Sequence, residues 1–280
     1  MRPNNFHYFP VITRPVNVVI TFLVVVVGAV ICIKDNYYSE LIIVASLSAA
    51  LTTAAGNIIN DLIDRDADKI NHPLRPIPSG KLSVKQALVE YLIIVVVANT
   101  LAFFINQLVF IIVILTTVLL FIYSNKLKKI PLLGNITVAY LTGLAFIFGG
   151  VVVGNPRGAF IPALFAFLIN LIRELVKDIQ DIEGDKKVNL RTWPVRFGIK
   201  STKQLILFFT CIFVISTMIP FIYKIYSIEF FVMVMIVVNP IMVYFLKNLF
   251  GDDSPQDLNK LSNMLKLNMV FGLIAIFLGK

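Results

Sequence analysis

Asp61, Asp64 and Asp68 are separated by three and four residues, and Asp178, Asp181 and Asp185 repeat those separations at a uniform offset of 117. Carboxylates at i, i+3 and i+7 of a helix fall within about 60° of one another around the axis, so each triplet makes one acidic face. Asn57 and Glu174 correspond under the same offset and add a polar residue at i−4 of each face. Oxygen-only ligands without His or Cys select a hard cation, and Mg²⁺ commonly holds few carboxylates together with substrate phosphates. Two Mg²⁺ ions on six carboxylates leave about two excess negative charges, so a bound diphosphate needs cations as well. Arg75, Lys81, Lys128, Lys177 and Arg191 are placed to supply them.

The elements that carry these faces lie in a membrane. The chain has 280 residues, of which 58% are hydrophobic and only 15% charged, with a mean hydropathy of +0.86. A soluble domain of this size carries roughly a quarter charged residues. About 20 apolar residues cross the hydrocarbon core, and spans are expected at 15–34, 38–60, 84–104, 106–124, 132–153, 158–181, 202–223, 228–247 and 260–279. Runs such as Val16 to Ile33 do not alternate as barrel strands do, so the expectation is an all-α polytopic membrane protein, nine transmembrane helices around a central cavity. The first of these reads as a retained span, because no short apolar segment with a cleavage pattern precedes it.

Most of the 25 Lys and Arg residues flank the N-terminal segment and the connections after the second, fourth, sixth and eighth spans, whereas the opposite face holds only Lys34, Arg157, Lys224 and Lys280. Basic connections stay cytoplasmic, which puts both acidic triplets and the N-terminus on that side. No linker or low-complexity tail divides residues 1–280, and a single domain is expected. The two cysteines, Cys32 and Cys211, fall inside apolar spans and read as buried small hydrophobes. His7 and His72 read as solvated loop residues, which leaves no zinc or haem site. Two polar connections are long: Arg65 to Lys81, whose Pro73, Pro76 and Pro78 favour an extended path, and Glu183 to Lys200. Together they are expected to form a lid over the acids. Asp66 points away from Asp61, Asp64 and Asp68 and reads as a solvated cap.

An oily molecule that ends in a diphosphate, such as an isoprenyl diphosphate, suits metal-binding acids beside a membrane cavity. The stretch from Gly56 through Asn57, Asp61, Asp64 and Asp68 to Asn71, followed by Arg75-Pro-Ile-Pro-Ser-Gly80, resembles the first signature of the UbiA superfamily of intramembrane prenyltransferases. Arg173-Glu174-x-x-Lys177-Asp178-x-x-Asp181-x-x-Gly184-Asp185, with Thr192-Trp193-Pro194 and Gly198, resembles the second. Tyr123 to Lys129 with Gly134-Asn135 is similar to the segment after the fourth helix, and Arg14-Pro15-Val-Asn17 to the start of the first. Trp193 departs from the pattern, which has a smaller aliphatic residue there. Within the superfamily, the second signature and the Arg-Pro-Ile-Pro-Ser-Gly run resemble most the members that join a geranylgeranyl group to geranylgeranylglyceryl phosphate in ether phospholipid synthesis.

The resemblance implies prenyl transfer. Asp61 and Asp64 with Asn57 would hold one Mg²⁺, Asp181 and Asp185 the other, with Asp68 and Asp178 as direct or water-mediated ligands and the diphosphate bridging the two helices. It adds Tyr123 to Arg75, Lys81, Lys128 and Lys177 as diphosphate-binding candidates, and gives Arg14 and Asn17 a part in ordering acceptor or donor. The expected partners are an isoprenyl diphosphate donor, a lipid or aromatic acceptor and membrane lipids, and no nucleic acid. An aromatic prenyltransferase acting on a quinone precursor or chlorin is the alternative acceptor class. A transporter that binds metal and phosphate without chemistry is the alternative outside enzymes, although its acids would normally lie nearer the bilayer midplane.

Overall fold

The computed structural model describes residues 8–33, 39–187, 189–251 and 254–280. His7 and Lys34 lie outside them. Among the described residues nine helices are long and apolar enough to cross a membrane, from Pro15–Cys32 to Pro255–Gly279. The chain folds as two compact units, Met1–Lys128 with Ala145–Ala159, and Lys129–Leu144 with Phe160–Lys280.

The first unit opens with α1 (Tyr8–Ile12), α2 (Pro15–Cys32), α3 (Ser39–Ile63), α4 (Arg65–Asn71), α5 (Val84–Phe103) and α6 (Gln107–Asn125), and takes in the C-terminal part of α7 (Leu133–Val152). Pro15 starts α2, where its missing N–H is not needed. Ser83 starts α5 with a capping box: its Oγ accepts from the Gln86 N–H, and the Gln86 side chain accepts from the Ser83 N–H at 3.0 Å. α3 is the central element, with Ala45, Ala50, Ala54, Ala55 and Ile58 buried, and the small alanines let α2 and α5 approach its backbone. α2 and the end of α7 cross closely. A Cβ on Gly149 would stand 2.3 Å from the Val25 carbonyl oxygen, and one on Gly28 2.5 Å from that of Phe146. Leu92, Ile93 and Val96 on α5 and Leu115 and Val118 on α6 are exposed, as helices facing lipid require.

The second unit holds the start of α7, then α8 (Phe160–Gln180), α9 (Ile182–Lys187), α10 (Trp193–Ile222), α11 (Ile228–Met233), a π turn over Val234–Val238, α12 (Asn239–Leu249) and α13 (Pro255–Gly279). The buried residues of α8 include Leu168, Ile172, Leu175, Val176 and Ile179, a helical stripe against which α10 and α13 pack. The π turn widens one helical turn inside the span Ile228–Leu249.

Three sequence expectations are corrected. The second connection is largely helical, in α9 and again from Trp193, where an open loop is expected. Pro194 starts this helix early and Gly198, at φ 83°, bends it, a conformation that favours glycine. The Trp193 ring meets Phe197 at 4.5 Å and its N–H donates to Ser201. The first connection likewise begins as α4 and turns into the proline-rich segment only after His72, which is exposed. Cys32 is buried as expected, but Cys211 is exposed beside Phe208, Ile212 and Ile215, because it sits on the apolar outer side of α10.

Candidate active site

Both acidic motifs are built on the same local device. α3 ends at Ile63 and α4 begins at Arg65, so Asp64 stands alone at the junction. α8 ends at Gln180 and α9 begins at Ile182, and Asp181 occupies the equivalent place. The helical hydrogen bonds nevertheless run through each break: Asp64 N–H donates to the Asn60 carbonyl at 2.9 Å and Asp68 N–H to Asp64 at 2.8 Å. Asp181 N–H donates to Lys177 at 2.9 Å and Asp185 N–H to Asp181 at 3.0 Å. The offset of 117 in sequence is therefore also a local repeat in structure, in which the middle aspartate marks a break between two helices across which the helical hydrogen bonds continue.

In the first unit three cations converge on the three aspartates. Arg14 Nη2 donates to Asp61 Oδ1 at 2.5 Å, and Arg75 Nη1 reaches the same oxygen at 3.4 Å and Asp68 Oδ2 at 2.6 Å. Lys128 Nζ donates to Asp64 Oδ1. Asp61 is only 2% exposed and Asp68 4%, so without these partners their ionised forms would be costly. Asn57 Nδ2 donates to the Thr13 carbonyl at 2.7 Å, which fixes the amide and leaves Oδ1 as its acceptor atom. Asp66 is exposed, and its hydrogen bond and ion pair with Lys69 hold its carboxyl below the usual carboxylate range.

The second unit is arranged differently. Asn135 Nδ2 donates to Asp178 Oδ2 at 2.9 Å, and Thr192 Oγ1 donates to the buried Asp185 Oδ2 at 3.0 Å. Asp181 is exposed. Lys177 and Arg173 both donate to Glu174 Oε1, at 3.0 and 3.1 Å. Neutral donors thus hold two aspartates here, where cations hold all three in the first unit.

Arg75 and Lys128, expected at the diphosphate, lie against Asp68 and Asp64, and Arg14, expected to order acceptor or donor, is the partner of Asp61. Lys81 stands elsewhere, its ammonium 5.1 Å from the centre of the Tyr8 ring, and Asn17 is exposed on the first turn of α2. Tyr123 is half-buried near the end of α6. The spacing of acids does not reveal Thr13, Asn135 and Thr192 as their supports. Asn135 and Thr192 lie in the segments that carry the family resemblance, which is the one signal that marks them.

The donor set suits a hard cation that shares its coordination with a substrate. Among the described residues no three carboxylate, imidazole or thiol groups gather closely enough to enclose a metal by themselves. Mg²⁺ needs no such cage, since it binds through one or two carboxylates, water and phosphate oxygens.

Comparison with known proteins agrees with this chemistry. A model of the UbiA prenyltransferase family matches residues 18–270. The chain is 38% identical over 268 residues to the digeranylgeranylglyceryl phosphate synthase of Methanosphaera stadtmanae, covering 96% of this chain and 97% of the relative. A solved structure of a digeranylgeranylglyceryl phosphate synthase is similar with a TM-score of 0.78 at 29% identity, over 98% of both chains. A UbiA homologue from Archaeoglobus fulgidus, solved with GPP and Mg²⁺, shares the fold at a TM-score of 0.66 and 20% identity, over 96% of this chain and 99% of that one. With the family match spanning nearly the whole membrane region, the chain belongs to the UbiA prenyltransferase family.

Proposed function

We propose that this protein transfers a geranylgeranyl group from its diphosphate to geranylgeranylglyceryl phosphate, with Mg²⁺, as one UbiA-like domain over residues 1–280. The observation that carries the reading is the triple pairing of Arg14, Arg75 and Lys128 with Asp61, Asp64 and Asp68. The same cluster contains the carboxylates that a metal requires and the cations that a diphosphate requires. The identity of 38% to a digeranylgeranylglyceryl phosphate synthase along nearly the whole chain supports the acceptor class.

Asp61, Asp64 and Asn57 in the first unit, and Asp181 and Asp185 in the second, are the residues that would hold Mg²⁺, with Asp68 and Asp178 beside them. When bound, the ion supplies positive charge to the departing diphosphate. Arg14, Arg75 and Lys128 exchange carboxylate oxygens for phosphate oxygens as the donor binds, so phosphate capture and release of the aspartates are one event. They then stabilise the charge that develops as the allylic C–O bond ionises. Diphosphate departs with the bonding electron pair, the acceptor hydroxyl oxygen captures the allylic carbocation, and the hydroxyl proton passes to a neighbouring carboxylate or to the departed diphosphate.

The N-terminus and both acidic motifs are assigned to the cytoplasmic side, a reading supported by the excess of Lys and Arg in the connections they occupy. Single-cysteine variants at Ser79 and at Gly154, labelled with a membrane-impermeant maleimide in intact cells and in inverted vesicles, test it. Labelling of position 79 from outside the cell would reverse the assignment.

The activity is tested with purified protein in detergent, labelled geranylgeranyl diphosphate, and either geranylgeranylglyceryl phosphate or an aromatic acceptor. The expected product is the phosphate-bearing diether, identified by mass. Exclusive transfer to the aromatic acceptor would replace the acceptor in this reading, and binding without diphosphate release would remove the enzyme reading altogether.

A further inference from the structure

Beside the second acidic motif lies a group of charges that the metal ligands do not use. α8 packs against α13, and this brings Lys266 into electrostatic reach of Arg173 and Lys177. Arg173 and Lys177 lie one turn apart on α8, with Arg173 about 10 Å along the helix from its end at Gln180. Two cations inside a spanning helix therefore share one carboxylate, Glu174, and a third, the exposed Lys266 of α13, stands within electrostatic reach of both. Charges at such positions are expensive and mark functional sites. Two are incompletely satisfied. Among the described residues, the buried Arg173 Nε has no hydrogen-bond partner and Lys266 Nζ donates to the neutral Asn263 Oδ1, at 3.2 Å.

We infer that Arg173, Lys177 and Lys266 form a binding site for the phosphate monoester of the acceptor, an inference that rests on the prenyl-transfer reading above. A phosphate monoester carries nearly two negative charges and three strong acceptor oxygens, which matches a group with two surplus positive charges and an unpartnered guanidinium N–H. The position suits the reaction. In a glyceryl phosphate only four bonds separate phosphorus from the neighbouring hydroxyl oxygen, and Lys177 directly precedes Asp178, so the hydroxyl is held close to the second metal-binding motif. This assignment moves Lys177 from the donor diphosphate to the acceptor. It also gives α13, which bears none of the acidic motif, a part in choosing the acceptor.

The test is steady-state kinetics of Lys266→Met, Lys266→Gln and Lys266→Arg in detergent with geranylgeranyl diphosphate and geranylgeranylglyceryl phosphate. The Met and Gln variants are expected to raise the acceptor KM about tenfold or more. The donor KM should stay within about twofold and Lys266→Arg should restore most of the affinity. Replacing the acceptor by geranylgeranylglycerol, which lacks the phosphate, should weaken binding by the wild type and change little for Lys266→Met. A raised donor KM with an unmoved acceptor KM would assign the cations to the diphosphate and overturn the inference, as would no change in either. Absence of transfer to glyceryl phosphate by the wild type is a separate outcome that overturns the function proposed above.

Discussion

Arg14 adopts a left-handed backbone, φ 55°, immediately before Pro15, and from that position its guanidinium donates to the buried Asp61 at 2.5 Å. A non-glycine residue in this region costs on the order of 1 kcal/mol, and the ion pair across 47 residues of chain offsets it. Two substitutions separate these effects. Arg14→Ala loses the pair and keeps the strain, and is expected to unfold in detergent with a stability loss of about 1–3 kcal/mol. Arg14→Gly loses the pair but relieves the backbone, and should retain about 1 kcal/mol more than Arg14→Ala. Thermal unfolding followed by circular dichroism ranks the two. Equal losses would show that the left-handed turn stores no strain.

Lys128 is the partner of Asp64 in the first unit. Lys128→Met should lower kcat about a hundredfold, as the removal of a charge-stabilising donor does, and Lys128→Arg should recover part of it. A rise in donor KM at unchanged kcat would assign Lys128 to ground-state binding alone.

Asp181 is exposed at a helix break, whereas Asp61 is buried among cations. Asp181→Ala is therefore expected to change stability by less than about 0.5 kcal/mol while turnover falls at least about a hundredfold. Asp61→Ala should lose both stability and turnover, because Arg14 and Arg75 are left facing each other. Near-normal turnover in Asp181→Ala would remove it from the set of metal ligands.

Metal removal gives a test without substitution. EDTA is expected to abolish prenyl transfer, and added Mg²⁺ to restore it, while thermal stability in detergent changes little, because cations hold Asp61, Asp64 and Asp68 and neutral donors hold Asp178 and Asp185. Full turnover in EDTA would end the two-Mg²⁺ reading.

The crossing of α2 with the end of α7 makes a packing prediction. Gly149→Ala places a methyl group 2.3 Å from the Val25 carbonyl, a contact that backbone must move to relieve. The expected loss is about 1–3 kcal/mol, read as a lower unfolding temperature. Gly154→Ala has no atom within 4 Å of its Cβ but a φ of 73°, so it should lose only the smaller conformational cost of about 1 kcal/mol.

Much of this architecture is local and so could be read directly. Apolar runs long enough to cross a bilayer identify the spans, and the expected 84–104 and 132–153 fall within two residues of α5 and α7 at each end. The 3-and-4 spacing of the aspartates survives in the structure because helical hydrogen bonds continue through the breaks at Asp64 and Asp181. The start of α10 at Trp193 leaves a weaker signal in the sequence. A polar, proline- and glycine-bearing segment looks like loop by composition, yet Pro194 is well placed at a helix start and Gly198 permits the bend.

Spacing, hydropathy and charge thus settle on their own that this chain is helical, spans a membrane and carries two equally spaced acidic motifs, since each property depends on residues within a few turns of one another. Which cation serves which aspartate is set by packing. Arg14, Arg75 and Lys128 come from three separate segments, and only the close approach of small-residue helices around α3 brings them to the first motif. Lys81 had the same charge and a similar distance in sequence but lies over Tyr8, because a long cation goes to whichever partner the surrounding backbone places in reach.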